Sequence, residues 1–186
     1  SAHSTVPQGQ ATSDAAPLLS PMICGTGTYL FTLYGQSVGK EDFEIKCTAD
    51  GYMASAHTDF IVPGQSQSLD TTFNLDSKGV PSGFTVKGTA AGTKVNQEIS
   101  LKDGTATIVT NSVPQTIPYT NGSSVTLGNI FYLFQLIAGR YDVKRGGDQQ
   151  IPLFPNTKAT INHVGRDQIQ VGGIAASVSR IFDRYT

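Results

Sequence analysis

The side chains that could do chemistry here are few and scattered. His57-Thr58-Asp59 sets an imidazole and a carboxylate two residues apart, on one face if the segment is a strand. That spacing suits a general base with the group that orients it, or two metal ligands. The sequence sets no third ligand or nucleophile beside the pair, so the plainer reading is a solvent-facing polar couple. His163, in Ala159-Thr160-Ile161-Asn162-His163-Val164, reads as the polar position of an alternating strand, and His3 lies in a stretch without periodicity. Glu41 and Asp42 are adjacent, so on a strand they point to opposite faces and make no acid–base pair without a bulge.

The recurring catalytic signatures are missing from the chain. There is no Gly-x-Ser-x-Gly elbow, no His-Glu-x-x-His helix and no phosphate loop. Gly25-Thr26-Gly27 lacks the rest of a dinucleotide fingerprint, and no cofactor is expected. Two cysteines and three histidines do not make a structural zinc site. Asn121-Gly122-Ser123 matches a glycosylation acceptor, although Asn-Gly is first a turn signal. Cys24 and Cys47 could pair across adjacent strands in an oxidising compartment. The loop they close would contribute about 3 kcal/mol in the chain-entropy model. The alternative is two buried free thiols packing as small hydrophobes.

The elements that must position these groups are strands. Charged residues are 15% of the chain and the net charge is −1. No basic stripe is present to neutralise phosphates, which disfavours a nucleic-acid partner. Thr, Ser, Gly, Gln and Asn dominate the polar positions, as suits pleated surfaces. No apolar run reaches the length of a membrane span. Residues 1–22 read as a flexible leader and 23–186 as a single β-rich domain. Strands are predicted at Thr28–Tyr34, Glu41–Cys47, Tyr52–Val62, Ser68–Leu75, Gly83–Thr89, Lys94–Leu101, Thr105–Val113, Lys158–Val164, Gln168–Val171 and Ala176–Tyr185. Gly35–Gly39 reads as a hairpin loop, Gly146–Pro155 as a loop, and Gly172-Gly173 as a turn.

Residues 125–138 break the period-two pattern. Leu127, Ile130, Phe131, Phe134, Ile137 and Ala138 recur at helical spacing, with Leu133 and Leu136 widening the apolar surface. The expectation is a helix at about 127–138 laid against the concave face of a strongly curved antiparallel meander of about eight to eleven strands, a spiral β-roll or open barrel. Its core should include Tyr29, Phe31, Phe43, Ile45, Phe60, Phe73, Phe84, Ile130, Phe131, Phe134 and Ile137. The helix is either a fixed plug or a lid over an apolar cavity.

Two stretches carry a resemblance. The front reads Gly27-x-Tyr29-x-Phe31, then Tyr34-Gly35-x-x-Val38-Gly39-x-Glu41-x-Phe43-x-Ile45. The back reads Lys158-Ala-Thr-Ile-Asn-His-Val-Gly-Arg-Asp-Gln-Ile-Gln-Val, then Ser179-Arg180-Ile181-Phe182. Over about 25–186 the chain resembles a β-rich domain found N-terminal to amidohydrolase-type or peptidase-type catalytic domains in exported bacterial enzymes. Its layout is also similar to the spiral β-roll of periplasmic lipoprotein carriers and glycolipid-binding proteins. The resemblance implies no catalytic residues in this part. It implies a periplasmic or extracellular location, an apolar small molecule or lipid as partner, and a downstream catalytic domain.

The function expected is therefore a non-catalytic accessory or apolar-ligand-binding domain, with Phe73, Phe84, Phe131, Leu133 and Phe134 as the ligand wall. Its rivals are an N-terminal fragment of a secreted hydrolase, and a structural or adhesive surface domain. The strand from Ser177 to Thr186 carries apolar residues on both parities, so it is expected at an edge or paired with the first strands. The natural product is expected to be longer.

Overall fold

A computed structural model describes residues 24–171 and 174–185, with side chains as far as Gly165. The proposed leader, His3 and the Gly172-Gly173 turn lie outside the described residues, as do the side chains of the last strand. Eight strands run in sequence order: β1 (Gly25–Leu33), β2 (Gln36–Cys47), β3 (Gly51–Phe60), β4 (Gln67–Asp76), β5 (Pro81–Ala90), β6 (Thr93–Lys102), β7 (Thr105–Thr110) and β8 (Val113–Pro118). Each pairs antiparallel with its sequence neighbour, and the sheet stays open, with β1 and β8 at its edges. The mainly-β meander, with one helix among the described residues, is as expected.

A single sheet was expected, and the described strands form two. β9 (Gln149–Leu153), β10 (Thr157–Val171) and β11 (Ile174–Tyr185) make a second antiparallel sheet in the order β11-β10-β9. A parallel bridge from Ser124 to Leu153 ties the segment after β8 to β9. Among the described residues the final strand does lie at an edge, paired with β10 and not with the first strands.

Several boundaries differ for local reasons. The first hairpin turns on Tyr34-Gly35, both at positive φ, rather than on a loop from 35 to 39. Gly39 sits inside β2 at φ 152°, where a Cβ would collide with the Asp59 carbonyl, so its glycine serves close strand approach. The expected strand Thr105–Val113 ends at Thr110, where the chain reverses at Asn111-Ser112 with φ of 49° and 68°, and Val113 opens β8. β9 occupies what reads as a Gly- and Pro-rich loop. β10 runs through Gly165-Arg166-Asp167 as one strand with a bulge between His163 and Gly165.

Alternation along β2–β7 sends one parity inward. Ile45, Ala54, Ala56, Leu69, Phe73, Leu75, Phe84, Val86, Ile99, Leu101 and Ala106 form a buried row across the sheet. Fully burying side chains such as Phe73 and Phe84 contributes about 1.5–3 kcal/mol each. Helix α1 (Tyr132–Ala138) covers this face with Tyr132, Leu133 and Leu136, while Ile137 joins the core of the second sheet with Tyr141, Ile151, Leu153, Ala159 and Ile161. Of the expected core, Phe31, Ile45, Phe73, Phe84, Ile130 and Ile137 are buried, while Tyr29, Phe43, Phe60, Phe131 and Phe134 are half-buried.

The helix begins five residues later than its spacing predicts. Leu127 to Phe131 form a turn, with Asn129 at φ 61°. What starts the helix is Glu41, from the middle of β2. Its Oε2 accepts from the Phe131 amide at 3.0 Å and its Oε1 from the Tyr132 amide at 2.6 Å. The carboxylate thus satisfies two amides that a helix start leaves unpaired, and its charge suits the positive end of the helix dipole. At the front of the sheet, Cys24 and Cys47 form a disulfide with Cα atoms 5.7 Å apart, tying the start of β1 to the end of β2.

Candidate functional site

The inner face holds two aromatic groups in different states. Phe73 and Phe84 stack at 4.7 Å between ring centroids, and Tyr132 meets Phe73 edge-on at 6.2 Å. The space left beneath the helix, against Phe73, Leu133, Leu136 and Ile137, is only about 10 Å³. Of the predicted ligand wall, Phe73, Phe84 and Leu133 are therefore packed together as interior, and Phe134 is half-buried on the helix.

Phe131 is placed differently. It precedes the first turn of α1 and packs on Phe31 at 4.6 Å, and Phe31 meets Phe60 at 6.0 Å. Beside this trio opens a groove of about 400 Å³ lined by Tyr29, Leu30, Phe31, Thr32, Leu33, Val38, Phe60 and Phe131. Among the described residues no charged side chain lines it, and Thr32 and the Tyr29 hydroxyl are the side-chain hydrogen-bonding groups there. Leu30 (75% exposed), Leu33, Tyr34 (97%) and Ile61 (70%) are exposed in the same part of the sheet. The Ile61 amide bonds the Val38 carbonyl at 2.7 Å, which holds the exit of β3 against β2.

Glu41 fixes the helix start beside the groove. It is fully buried, and besides the two helix amides it accepts from the Thr58 hydroxyl at 2.8 Å. Three donors hold the carboxylate in place of water, so the desolvation cost of a buried charge is offset by charge-assisted hydrogen bonds. Tyr132 bonds Thr71 at 2.9 Å, and the Tyr29 hydroxyl donates to Gln135 at 3.3 Å. Burial first, and then the Glu41 charge, push the Tyr132 and Tyr29 phenols above their ordinary range. With its start pinned over β2 and β3, the helix covers Phe73 and leaves Phe31 and Phe60 at its border. This role of Glu41 was missed in the sequence, where the residue was weighed only against its neighbour Asp42. The available signal was parity, since Glu41 shares the inward row of Phe43 and Ile45.

The polar face opposite carries His57. Its Nδ1 lies 2.7 Å from Asp70 and its Nε2 3.2 Å from Asp59. The Asp70 hydrogen bond, helped by both carboxylate charges, raises the imidazole above its ordinary value. Asp42, the cross-strand neighbour of His57, is bonded by Lys40 and Thr28, both at 2.7 Å, and lies below the usual carboxylate range for that reason. A shallow recess of about 540 Å³ lies here among hydroxyls and carboxylates. Both ring nitrogens of His57 are engaged by carboxylates, so the arrangement favours the charged ring over the neutral one and leaves neither nitrogen open to a substrate or metal.

The other sequence candidates stay apart. His163 faces Tyr141 at 6.3 Å between rings, in the second sheet. Asn121 lies in a turn, its side chain accepting from the Gly104 amide. Among the described residues no group of three or more His, Cys, Asp or Glu could hold a metal ion, and no helix is long and apolar enough to cross a membrane. The Cys24–Cys47 bond is compatible with an oxidising compartment. Comparison with known proteins found no match to the chain among family models, curated proteins or solved structures.

Proposed function

We propose that this is a non-catalytic binding domain of an exported bacterial protein, taking an uncharged apolar ligand such as an acyl chain in the groove at Phe31, Phe60 and Phe131. The observation that carries the reading is the lining of that groove. It is aromatic and aliphatic, free of charge, open to solvent, and within the size range of small-molecule sites. A charged headgroup would stay in water while the tail meets Leu30, Leu33 and Val38. Phe131 of the expected ligand wall belongs to this site, whereas a ligand reaching Phe73, Phe84 and Leu133 would need α1 to leave the sheet. The disulfide supports the periplasmic or extracellular setting, and an accessory role beside a downstream catalytic domain fits the same reading.

The test is a titration of delipidated protein with the apolar fluorophore N-phenyl-1-naphthylamine. Saturable enhancement is expected, displaced by dodecanoic acid, lost in Leu33→Glu and kept in His57→Ala. Failure to saturate would leave the structural or adhesive reading. A hydrolase activity abolished by His57→Ala would replace the proposal with an enzyme.

A further inference from the structure

The two edges of the large sheet are built differently. β8 is six residues long and contains Pro114 and Pro118, which remove amide donors from the strand. β1 is nine residues long, Gly-Thr-Gly-Thr-Tyr-Leu-Phe-Thr-Leu, with no proline and no charge. Exposed strand edges are normally blunted by short length, proline, lysine or a bulge. β8 has the first two. β1 has only a bulge at Phe31/Thr32, which leaves Gly25–Phe31 in unbroken register with β2. Among the described strands, β2 is its sole neighbour.

The β1 sequence is also complementary to itself. In an antiparallel pairing of two copies with the two-fold axis at Thr28, Gly25 stands opposite Phe31, Gly27 opposite Tyr29 and Thr26 opposite Leu30. Thr28 then faces its own copy. Each large side chain meets a small one, no charge faces a charge, and the exposed Leu30 gains a neighbour. Aromatic rings opposite glycines are a known way to stabilise strand pairs. The protein already uses that device on the other side of β1. The Phe43 ring of β2 lies so close over Gly27 that a Cβ there would collide with it.

We propose that β1 is a self-association edge, through which two copies of the chain pair antiparallel about Thr28 and join their eight-stranded sheets. Such a pairing is isologous, as two-fold dimers are. It also brings a second copy alongside the groove at Leu30. The inference rests on the edge itself and does not require the groove to hold a ligand.

Sedimentation velocity on the full chain, carried to near its solubility limit, should show a reversible species of twice the 19.7 kDa monomer mass. Thr28→Lys, which sets like charges opposite each other at an exposed position, should lose that species. Thr28→Val should keep it, and circular dichroism should show the fold intact in both. Directly opposed antiparallel residues have Cα atoms about 4.5–5.5 Å apart, within reach of a disulfide. Thr28→Cys should therefore cross-link to a covalent dimer under mild oxidation, while Lys87→Cys, exposed on the same face of β5, should not. A chain that stays monomeric throughout and fails to cross-link would overturn the proposal. So would a dimer indifferent to Thr28→Lys.

Discussion

Beneath α1, Phe84 and Tyr132 both pack on Phe73, and the space left between Phe73 and the helix is about 10 Å³. At the border of the same face, Phe31, Phe60 and Phe131 stand beside a groove of about 400 Å³. Residue type does not separate the two regions, because each sets two strand aromatics against one from the helix start, Tyr132 in the first and Phe131 in the second. What separates them is the position of one short helix, and that position depends on a carboxylate about ninety residues earlier in the chain. An apolar row becomes core where another element covers it, and a candidate binding wall where the cover stops.

The sharpest way to test this contrast is to truncate one ring in the closed region and one side chain in the open one. Phe73→Ala removes a fully buried ring and should cost about 3–5 kcal/mol of stability by urea titration. Leu30→Ala, three-quarters exposed, should cost within about 0.5 kcal/mol. Equal costs would break the distinction. Next comes Glu41→Ala, which leaves two helix amides and the Thr58 hydroxyl unpaired in the core. Its expected cost is about 3 kcal/mol, with Glu41→Gln milder because one acceptor remains. Exchange of the α1 amides should quicken more than that of the β4 and β5 amides. Uniform exchange would mean that Glu41 does not hold the helix start.

The smallest effect lies on the polar face and serves as a calibration. The folded pKa of His57 is raised above its unfolded value of about 6.5. Its stabilising contribution is therefore fully present below that value and is lost as pH rises through the folded pKa. The side chain is nearly half exposed, so screening should hold the effect below about 1 kcal/mol. Asp70→Asn should flatten this part of the stability–pH curve. An unchanged slope in that variant would show that the pair contributes nothing.

Much of the meander was legible because its residues alternate from β2 to β7, with one break at the start of β5. β8 was not, because Pro114 and Pro118 argue against a strand unless it is known to be an edge. β9 hides in polar residues whose inward members, Gln149, Ile151 and Leu153, acquire their meaning from pairing with β10. The helix was legible as an apolar segment but not in its start. Leu127, Ile130 and Phe131 fit helical spacing, while the residue that begins the helix lies in β2. The candidate site divides in the same way. Phe131 reads in the sequence as part of the helix at about 127–138, but the groove depends on which rings the helix leaves uncovered, a tertiary fact with no local signature.

The central claim is that the open region, and not the closed one, receives an apolar ligand. Amide chemical shifts of isotopically labelled protein, followed during titration with dodecanoic acid, test it most directly. The account requires saturable shifts at Leu30, Leu33, Val38, Phe60 and Phe131, with Phe73, Phe84 and Leu133 left in place. Shifts confined to Phe73, Phe84 and Leu133, or no saturable shifts at all, would contradict it.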